Sequence, residues 1–123
     1  MGSEPKGKEI CERTRGFALR IIKLYRAMKE DEVGAILGRQ LLRCGASIGA
    51  NVEEAQAGQS KRDFAARMSI ALREARETRY WLTLTLESEL FPSERLDPIL
   101  AETEEIIKIL YTIIQKTRQN QDC

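Results

Sequence analysis

The sequence predicts an all-α protein, an up-down-up-down four-helix bundle that assembles as an oligomer. Apolar residues recur at three- and four-residue steps in four segments of about 20 residues each. None of the three prolines interrupts these segments, and no two-residue period typical of strands occurs. The links between segments are short, which favours antiparallel neighbours.

The first helix is predicted over residues 9–28, where two apolar stripes run side by side. They consist of Ile10, Phe17, Ile21, Leu24 and Met28, and of Cys11, Ala18, Ile22 and Tyr25. The opposite face is basic, with Arg13, Arg15, Arg20, Lys23 and Arg26. This face is either simply solvated or a surface that contacts phosphate or a partner.

The second helix is predicted from residue 33 to residue 55 or 57, with Asp31 as its N-cap. A heptad stripe contains Leu37, Leu41, Cys44, Ile48, Asn51 and Ala55. An adjacent strip contains Gly38, Gly45 and Gly49. Because each helical glycine costs about 1 kcal/mol relative to alanine, we expect another helix to approach the backbone closely along this strip.

The third and fourth helices each begin with a capping signal. Ser60 heads a capping-box pattern for a helix that reaches about residue 89, and Asp97-Pro98 is expected to start the last helix, which ends near residue 118. Several of the helices carry more apolar positions than a single four-helix bundle needs. The surplus predicts a homo-oligomer.

Length and composition are typical of one soluble domain. The 123 residues are 42% hydrophobic and 32% charged. We assign the bundle to residues 9–118, with flexible ends at 1–8 and 119–123. No run is long and apolar enough to span a membrane, and no signal peptide is evident, so the expected location is the cytoplasm.

The absence of histidine removes several kinds of chemistry. Ser-His and Cys-His nucleophile activation and histidine-containing metal sites are excluded. Cys11 and Cys44 lie on apolar stripes and are expected to be buried thiols, whereas Cys123 lies in a polar tail and is expected to be exposed. We therefore expect no enzyme, no catalytic residue, no cofactor, no metal and no small-molecule substrate.

Charge is uneven along the chain although the net charge is only +1. Residues 1–29 carry a net charge of +5, and residues 87–105 carry −6. A second basic cluster near the start of the third helix adds Lys61, Arg62, Arg67 and Arg73. Such asymmetry suits a contact with nucleic acid and equally a contact between subunits.

A polar seam is predicted within residues 47–81. Its members are Asn51, Glu53, Glu54, Arg73, Glu74, Arg76, Glu77 and Arg79. Arginines among the carboxylates would repel a metal ion, so the preferred interpretation is ion pairs, between helices or between subunits, of Glu53 and Glu54 with Arg73, Arg76 and Arg79. Asn51 is expected to set helix register and assembly state, with Ser47, Glu54 or a third-helix arginine satisfying its amide. The alternative is that Asn51 lines a ligand site. Tyr80 and Trp81 either stack on bases or pack at an interface.

Residues 47–56 (SIGANVEEAQ) and 69–82 (SIALREARETRYWL), with Ser60, Asp63 and Phe64 between them, resemble the bacterial four helix bundle protein family. Its first-described members are encoded in intervening sequences of large-subunit ribosomal RNA genes. The likeness covers residues 15–117. Differences at Gly49 and at residues 53–55 place this chain in a subgroup. Glu89 also differs, at a position before the turn where glycine is common in the family.

The resemblance implies a left-handed up-down bundle that forms a homopentamer with a central channel, and it implies no established activity. A related branch, the accessory variability protein of diversity-generating retroelements, is a basic pentamer that binds reverse transcriptase and nucleic acid. We therefore expect a homo-oligomeric scaffold or adaptor for a protein or RNA partner. The alternative is a nucleic-acid-binding accessory factor, associated with rRNA or reverse transcriptase, that uses the basic faces of helices one and three.

Overall fold

Four α-helices make up the regular structure of the described part of the chain. A computed structural model describes residues 6–121, with the side chains of residues 7–119. The helices are α1 (Lys6–Met28), α2 (Glu32–Gln56), α3 (Lys61–Glu87) and α4 (Ser93–Gln121), and no strand occurs among the described residues. The prediction of an all-α protein with four helices is confirmed. The predicted exposure of Cys123 lies outside the described residues.

The helices pack in chain order around a common apolar core. The helix α2 contacts both α1 and α3, α3 also contacts α4, and α1 and α4 approach each other at only a few points. Every helix contributes fully buried side chains, among them Phe17, Ile21, Leu41, Ile48, Met68, Leu82, Ile106 and Leu110. Phe17, Ile21, Leu41 and Ile48 occupy the predicted stripes of the first two helices. Burial of the apolar faces of all four helices supplies the main stabilisation.

The glycine strip of α2 is where α1 comes closest. A Cβ atom added at Gly45 would lie 2.9 Å from Ile21 Cγ1, and one added at Gly49 would lie 3.2 Å from Thr14 Oγ1. At Gly38 the added atom would lie 2.8 Å from Tyr25 Cδ1. The predicted close approach is confirmed, and it explains how α2 tolerates three glycines in its interior.

The starts of α2 and α3 are capped as predicted. The Gly34 N–H donates to Asp31 Oδ2 at 2.9 Å, and the Asp63 N–H donates to Ser60 Oγ at 3.0 Å. Both caps satisfy a backbone donor that lacks a partner within the helix.

The predicted start of the fourth helix at Asp97-Pro98 is wrong. The helix α4 begins at Ser93, and Pro98 lies inside it. The earlier turn is stabilised because it places Leu96 in the core with no exposed surface. Pro98 lies in the second turn of α4, where a proline removes one helical hydrogen bond at a cost of about 3 kcal/mol. Burial of Leu96 and of the core side chains that follow offsets this cost.

The turn between α3 and α4 contains the only non-glycine residue with positive φ in the described range. Glu89 has a φ of 61°, and its N–H donates to the Leu86 carbonyl at 3.1 Å. The Ser88 hydroxyl donates a hydrogen bond to the Thr85 carbonyl at 2.7 Å, which satisfies a carbonyl group in the last turn of α3. The strain is therefore confined to the left-handed residue after the cap, a position that glycine occupies without penalty.

The substitution Glu89→Gly is expected to raise the free energy of unfolding by about 1 kcal/mol, because it relieves left-handed strain at an exposed side chain. Urea unfolding followed by circular dichroism measures the change. The matched control Glu87→Gly, inside the last turn of α3, is expected to lower stability by about the same amount. Equal losses from both substitutions would contradict the assignment of strain to Glu89.

No helix among the described residues is long and apolar enough to cross a membrane.

Candidate functional site

One flank of the α2–α3 pair mixes half-exposed apolar side chains with charged ones. Its residues recur at helical steps on the side of each helix away from α1 and α4. Val33 and Ile36 are 57% and 54% exposed. We call this surface the α2–α3 band; it consists of Val33, Ile36, Gln40, Arg43, Ser47, Asn51, Ile70, Glu74, Glu77, Trp81 and Leu84.

Arg43 is the centre of the band's polar network. Its Nη2 donates to Glu77, and its side chain also donates to Gln40 Oε1 at 3.2 and 3.3 Å. The Trp81 indole N–H donates to the same Glu77 oxygen at 3.0 Å. Glu77 thus joins one arginine and one indole, which fixes the exposed edge of the α2–α3 contact.

Glu74 is the least satisfied member of this network. Its Oε1 lies 3.5 Å from Arg43 Nη1, which is within reach for an ion pair, yet this buried oxygen accepts no hydrogen bond. Only 14% of the side chain is exposed. The 3.5 Å contact therefore gives charge compensation without the directional bond that a buried carboxylate oxygen normally has.

Asn51 is half-buried at the other end of the band. Its amide nitrogen donates to the Ser47 carbonyl at 2.9 Å and to Ser47 Oγ at 3.0 Å. Ser47 was one of the three expected partners, and this partner is confirmed. The amide bonds within its own helix, so its role in setting register stays a prediction.

Cys44 is buried and Cys11 is half-buried, and neither lies in surroundings that would activate a thiol. Burial raises the pKa of the Cys44 thiol, although the Thr78 hydroxyl 3.2 Å away partly offsets the shift. Burial also raises the pKa of Cys11, and nearby Glu53 adds to that rise. The predicted burial is confirmed for Cys44, whereas Cys11 is only half-buried. A raised pKa keeps both sulfurs in the unreactive thiol form.

The predicted pairing within the polar seam is wrong inside the chain. Glu53 Oε2 accepts from Arg15 of α1 at 2.6 Å, and Arg79 donates to Glu104 of α4 at 2.9 Å. Successive helical residues point about 100° apart, so acids and arginines close in sequence face different neighbouring helices. Arg73, Arg76 and Glu54 are exposed and make no ion pair within the described residues. Pairing of these three residues between subunits stays a prediction.

The predicted basic face of α1 divides into paired and unpaired residues. Arg13 forms a bidentate pair with Glu102 of α4, with bonds of 2.7 and 2.9 Å, and Arg15 is held by Glu53. Arg20 and Lys23 line a groove between α1 and α4 together with Arg95. Arg26 is exposed.

The second basic cluster lies on a separate surface. Lys61, Arg62 and Arg67 are exposed on the first turns of α3, and Arg67 borders a depression that also contains Glu54 and Asp63. Because α1 and α3 do not contact each other in the described structure, the two basic clusters are not brought together within one chain.

Arg43 and Arg95 are functional candidates that sequence reasoning missed. Arg43 lies on a second stripe of α2, with Ile36, Gln40 and Ser47, and this spacing was a usable signal. Arg95 had been placed in a turn, and it reaches the α1–α4 groove because α4 starts at Ser93.

Acid is expected to destabilise the fold through Glu102 and Glu77. The hydrogen bond from Arg13 lowers the pKa of Glu102, and the bond from Trp81 followed by that from Arg43 lowers the pKa of Glu77. A carboxylate with a lowered folded-state pKa stabilises the fold above its unfolded pKa, and this contribution is lost as pH falls. The free energy of unfolding should therefore fall below about pH 4.5.

Chemical unfolding of Arg13→Met between pH 7 and pH 3 should show a shallower decline than the parent. The control Lys108→Met removes an exposed pair in which Lys108 Nζ and Glu105 Oε2 are 3.9 Å apart. It should leave the pH dependence unchanged. Parallel pH curves for the parent and Arg13→Met would show that the Arg13–Glu102 pair carries none of the effect.

Four helices, an apolar core and a charged, half-exposed flank define a small all-α helical protein with surfaces suited to contacts. Among the described residues, no group of three or more histidine, cysteine, aspartate and glutamate side chains is arranged to hold a metal ion.

The profile of the family described as 23S rRNA-intervening sequence protein matches residues 6–112. The chain belongs to this family, as its resemblance predicted.

A solved structure supports the same assignment. It is a protein of unknown function from the S23 ribosomal protein family of Bacteroides thetaiotaomicron, 38% identical in sequence. The match covers 90% of this chain and 99% of that chain, with a TM-score of 0.84. No curated protein matches the chain.

Proposed function

We propose that the protein is a non-enzymatic, homo-oligomeric scaffold or adaptor, a pentamer that binds a protein or RNA partner in the cytoplasm. The α2–α3 band is the observation that carries this proposal. It exposes Val33 and Ile36 by more than half and leaves Trp81, Ile70 and Leu84 half-exposed. A row of this kind along two helices is typical of a surface that another protein covers.

A ring of five identical chains requires two different surfaces to meet, because its interface is heterologous. The band is one candidate surface. A second is the outer face of α1, where Leu19 is 62% exposed beside the half-buried Ile22. Contact between the α2–α3 band of one chain and the outer face of α1 of the next would bury apolar area on both chains. This burial supports a closed ring in which two different surfaces meet.

The proposal includes an up-down-up-down, left-handed arrangement of the helices with the bundle domain at residues 9–118. The links at 29–31, 57–60 and 88–92 are short, which supports antiparallel neighbours. Arg43 and Glu77, which are in contact, lie at similar distances along the chain before and after the link at 57–60, as expected for two helices that run in opposite directions.

The mass of the full chain in solution tests the assembly. Light scattering coupled to size exclusion, from 1 to 100 μM, should give about 70 kDa, five times the 14.0 kDa chain. A mass of 14.0 kDa throughout would overturn the oligomeric scaffold. A different stable multiple would keep the scaffold and overturn the pentamer.

A second candidate function is direct nucleic-acid binding by an accessory factor associated with rRNA or reverse transcriptase. Five basic residues support it because they make no ion pair within the described structure: Arg20, Lys23, Lys61, Arg62 and Arg67. Affinity for a 20-nucleotide single-stranded RNA should fall steeply between 50 and 200 mM salt. Absent binding, or binding that salt does not change, would remove this candidate.

A further inference from the structure

A groove between α1 and the start of α4 brings three cationic side chains together. Arg20 and Lys23 approach from α1, and Arg95 approaches from the first turn of α4. The groove contains a cavity of about 230 Å³, and its apolar floor is formed by Leu24 and Ile99, which are 8% and 6% exposed. The three cationic residues therefore line one open groove with an apolar floor.

No carboxylate neutralises these three side chains within the described structure. Glu102 is the acid whose charge interacts with Arg20, but both of its oxygens are bonded to Arg13, at 2.7 and 2.9 Å. Arg20 and Lys23 make no hydrogen bond or ion pair within the described residues. Like charges that converge without a counterion repel one another, and an anion in the groove would remove this cost.

Arg95 is positioned without being neutralised. Its guanidinium carbon lies 4.7 Å from the centre of the Phe91 ring, a cation–π contact that restricts the side chain and leaves its charge intact. The residue also lies in the first turn of α4, where the helix dipole places partial positive charge. Side-chain and backbone charges therefore have the same sign at this end of the groove.

We propose that Arg20, Lys23 and Arg95 form a binding site for a phosphate group. Two guanidinium groups offer paired N–H donors that match the oxygens of a phosphate, and the ammonium group adds a point charge. The cavity volume is several times the ~30 Å³ that a water molecule occupies in the liquid. It therefore has room for one phosphate with part of its hydration.

The phosphate can be free or carried on a nucleic-acid strand, since the groove is open to solvent. The site deepens the second candidate function above if a strand supplies the phosphate. If the site binds a free phosphate ion, it depends on neither the nucleic-acid-binding function nor the pentamer.

Titration of the full chain with sodium phosphate at constant ionic strength, followed by NMR shifts of Arg95 and its neighbours, tests the site. The parent should saturate, and Arg95→Gln should bind about tenfold more weakly through loss of charge-assisted hydrogen bonds. Arg76→Gln is the matched control, because it removes an exposed, unpaired arginine from α3. It should bind like the parent. No saturation, or equal affinity of Arg95→Gln and the parent, would overturn the proposal.

A second arm uses a 12-nucleotide single-stranded RNA without a terminal phosphate. Binding that Arg95→Gln weakens and that sodium phosphate displaces assigns the site to the phosphates of a strand. Phosphate binding without strand binding assigns it to a free phosphate group and removes only the nucleic-acid candidate. Light scattering on the same samples separates the site from the assembly, because Arg95 lies outside the α2–α3 band.

Discussion

The substitution Gly45→Leu is expected to lower the free energy of unfolding by about 3 kcal/mol, at the upper end of the cost of overpacking a core. Even the first added carbon would lie 2.9 Å from Ile21 Cγ1 and 3.1 Å from Ile21 Cγ2. Ile21 has no exposed surface and is β-branched, so it has little freedom to move aside. The helices α1 and α2 would have to separate along the strip that holds them closest.

Gly16→Leu is the matched control because it makes the same chemical change in a glycine of α1 with open surroundings. A Cβ atom added at Gly16 meets nothing within 4 Å. This variant should gain up to about 1 kcal/mol from helix propensity. Urea unfolding of both variants measures the difference. Similar stabilities for the two variants would contradict close α1–α2 packing at Gly45.

The substitution Ile70→Glu is expected to reduce the mass in solution from about 70 kDa to the 14.0 kDa chain. Ile70 is half-exposed in the α2–α3 band, so the single chain can solvate a carboxylate there. An assembly that covers the band would have to bury that charge close to Glu74, which already has one oxygen without a hydrogen bond. The fold should persist while the interface is lost.

Tyr111→Glu is the control for this variant. Tyr111 is 50% exposed on α4, outside the band, and its replacement should leave the assembled mass unchanged. Circular dichroism of both variants should show parent-like helix content. An assembled mass for Ile70→Glu would place the interface elsewhere on the chain.

Helical periodicity was sufficient to predict the four helices because burial repeats along each helix. The stripes that contain Ile21 and Leu41 indicated which faces of α1 and α2 enter the core, and the glycine strip indicated where another helix approaches α2 closely. The start of α4 was mispredicted because the capping signal at Asp97 is local. The benefit of burying Leu96 depends on tertiary packing, which single-sequence reasoning does not include.

Side-chain pairing was harder to predict, because it depends on where each helix faces. Glu53 and Glu54 look equivalent in the sequence and both are exposed, yet only Glu53 forms an ion pair within the described residues, with Arg15 of α1. Arg43 became visible only once α2 lay against α3, where it meets two acids. Glu74 and Glu77 belong to the predicted polar seam, but the cation that they contact is Arg43, which comes from the neighbouring helix α2.

We propose that assembly covers the α2–α3 band. Trp81 lies in this band and is the only tryptophan in the chain, so its fluorescence reports directly on whether the band is covered. Acrylamide quenching of its fluorescence should be compared between the parent at 100 μM and Ile70→Glu, which changes a residue three helical turns away. We expect acrylamide to quench the Trp81 fluorescence of the parent several-fold less than that of Ile70→Glu. Equal quenching in an assembled parent and a monomeric variant would show that the band stays open to solvent and would contradict the account.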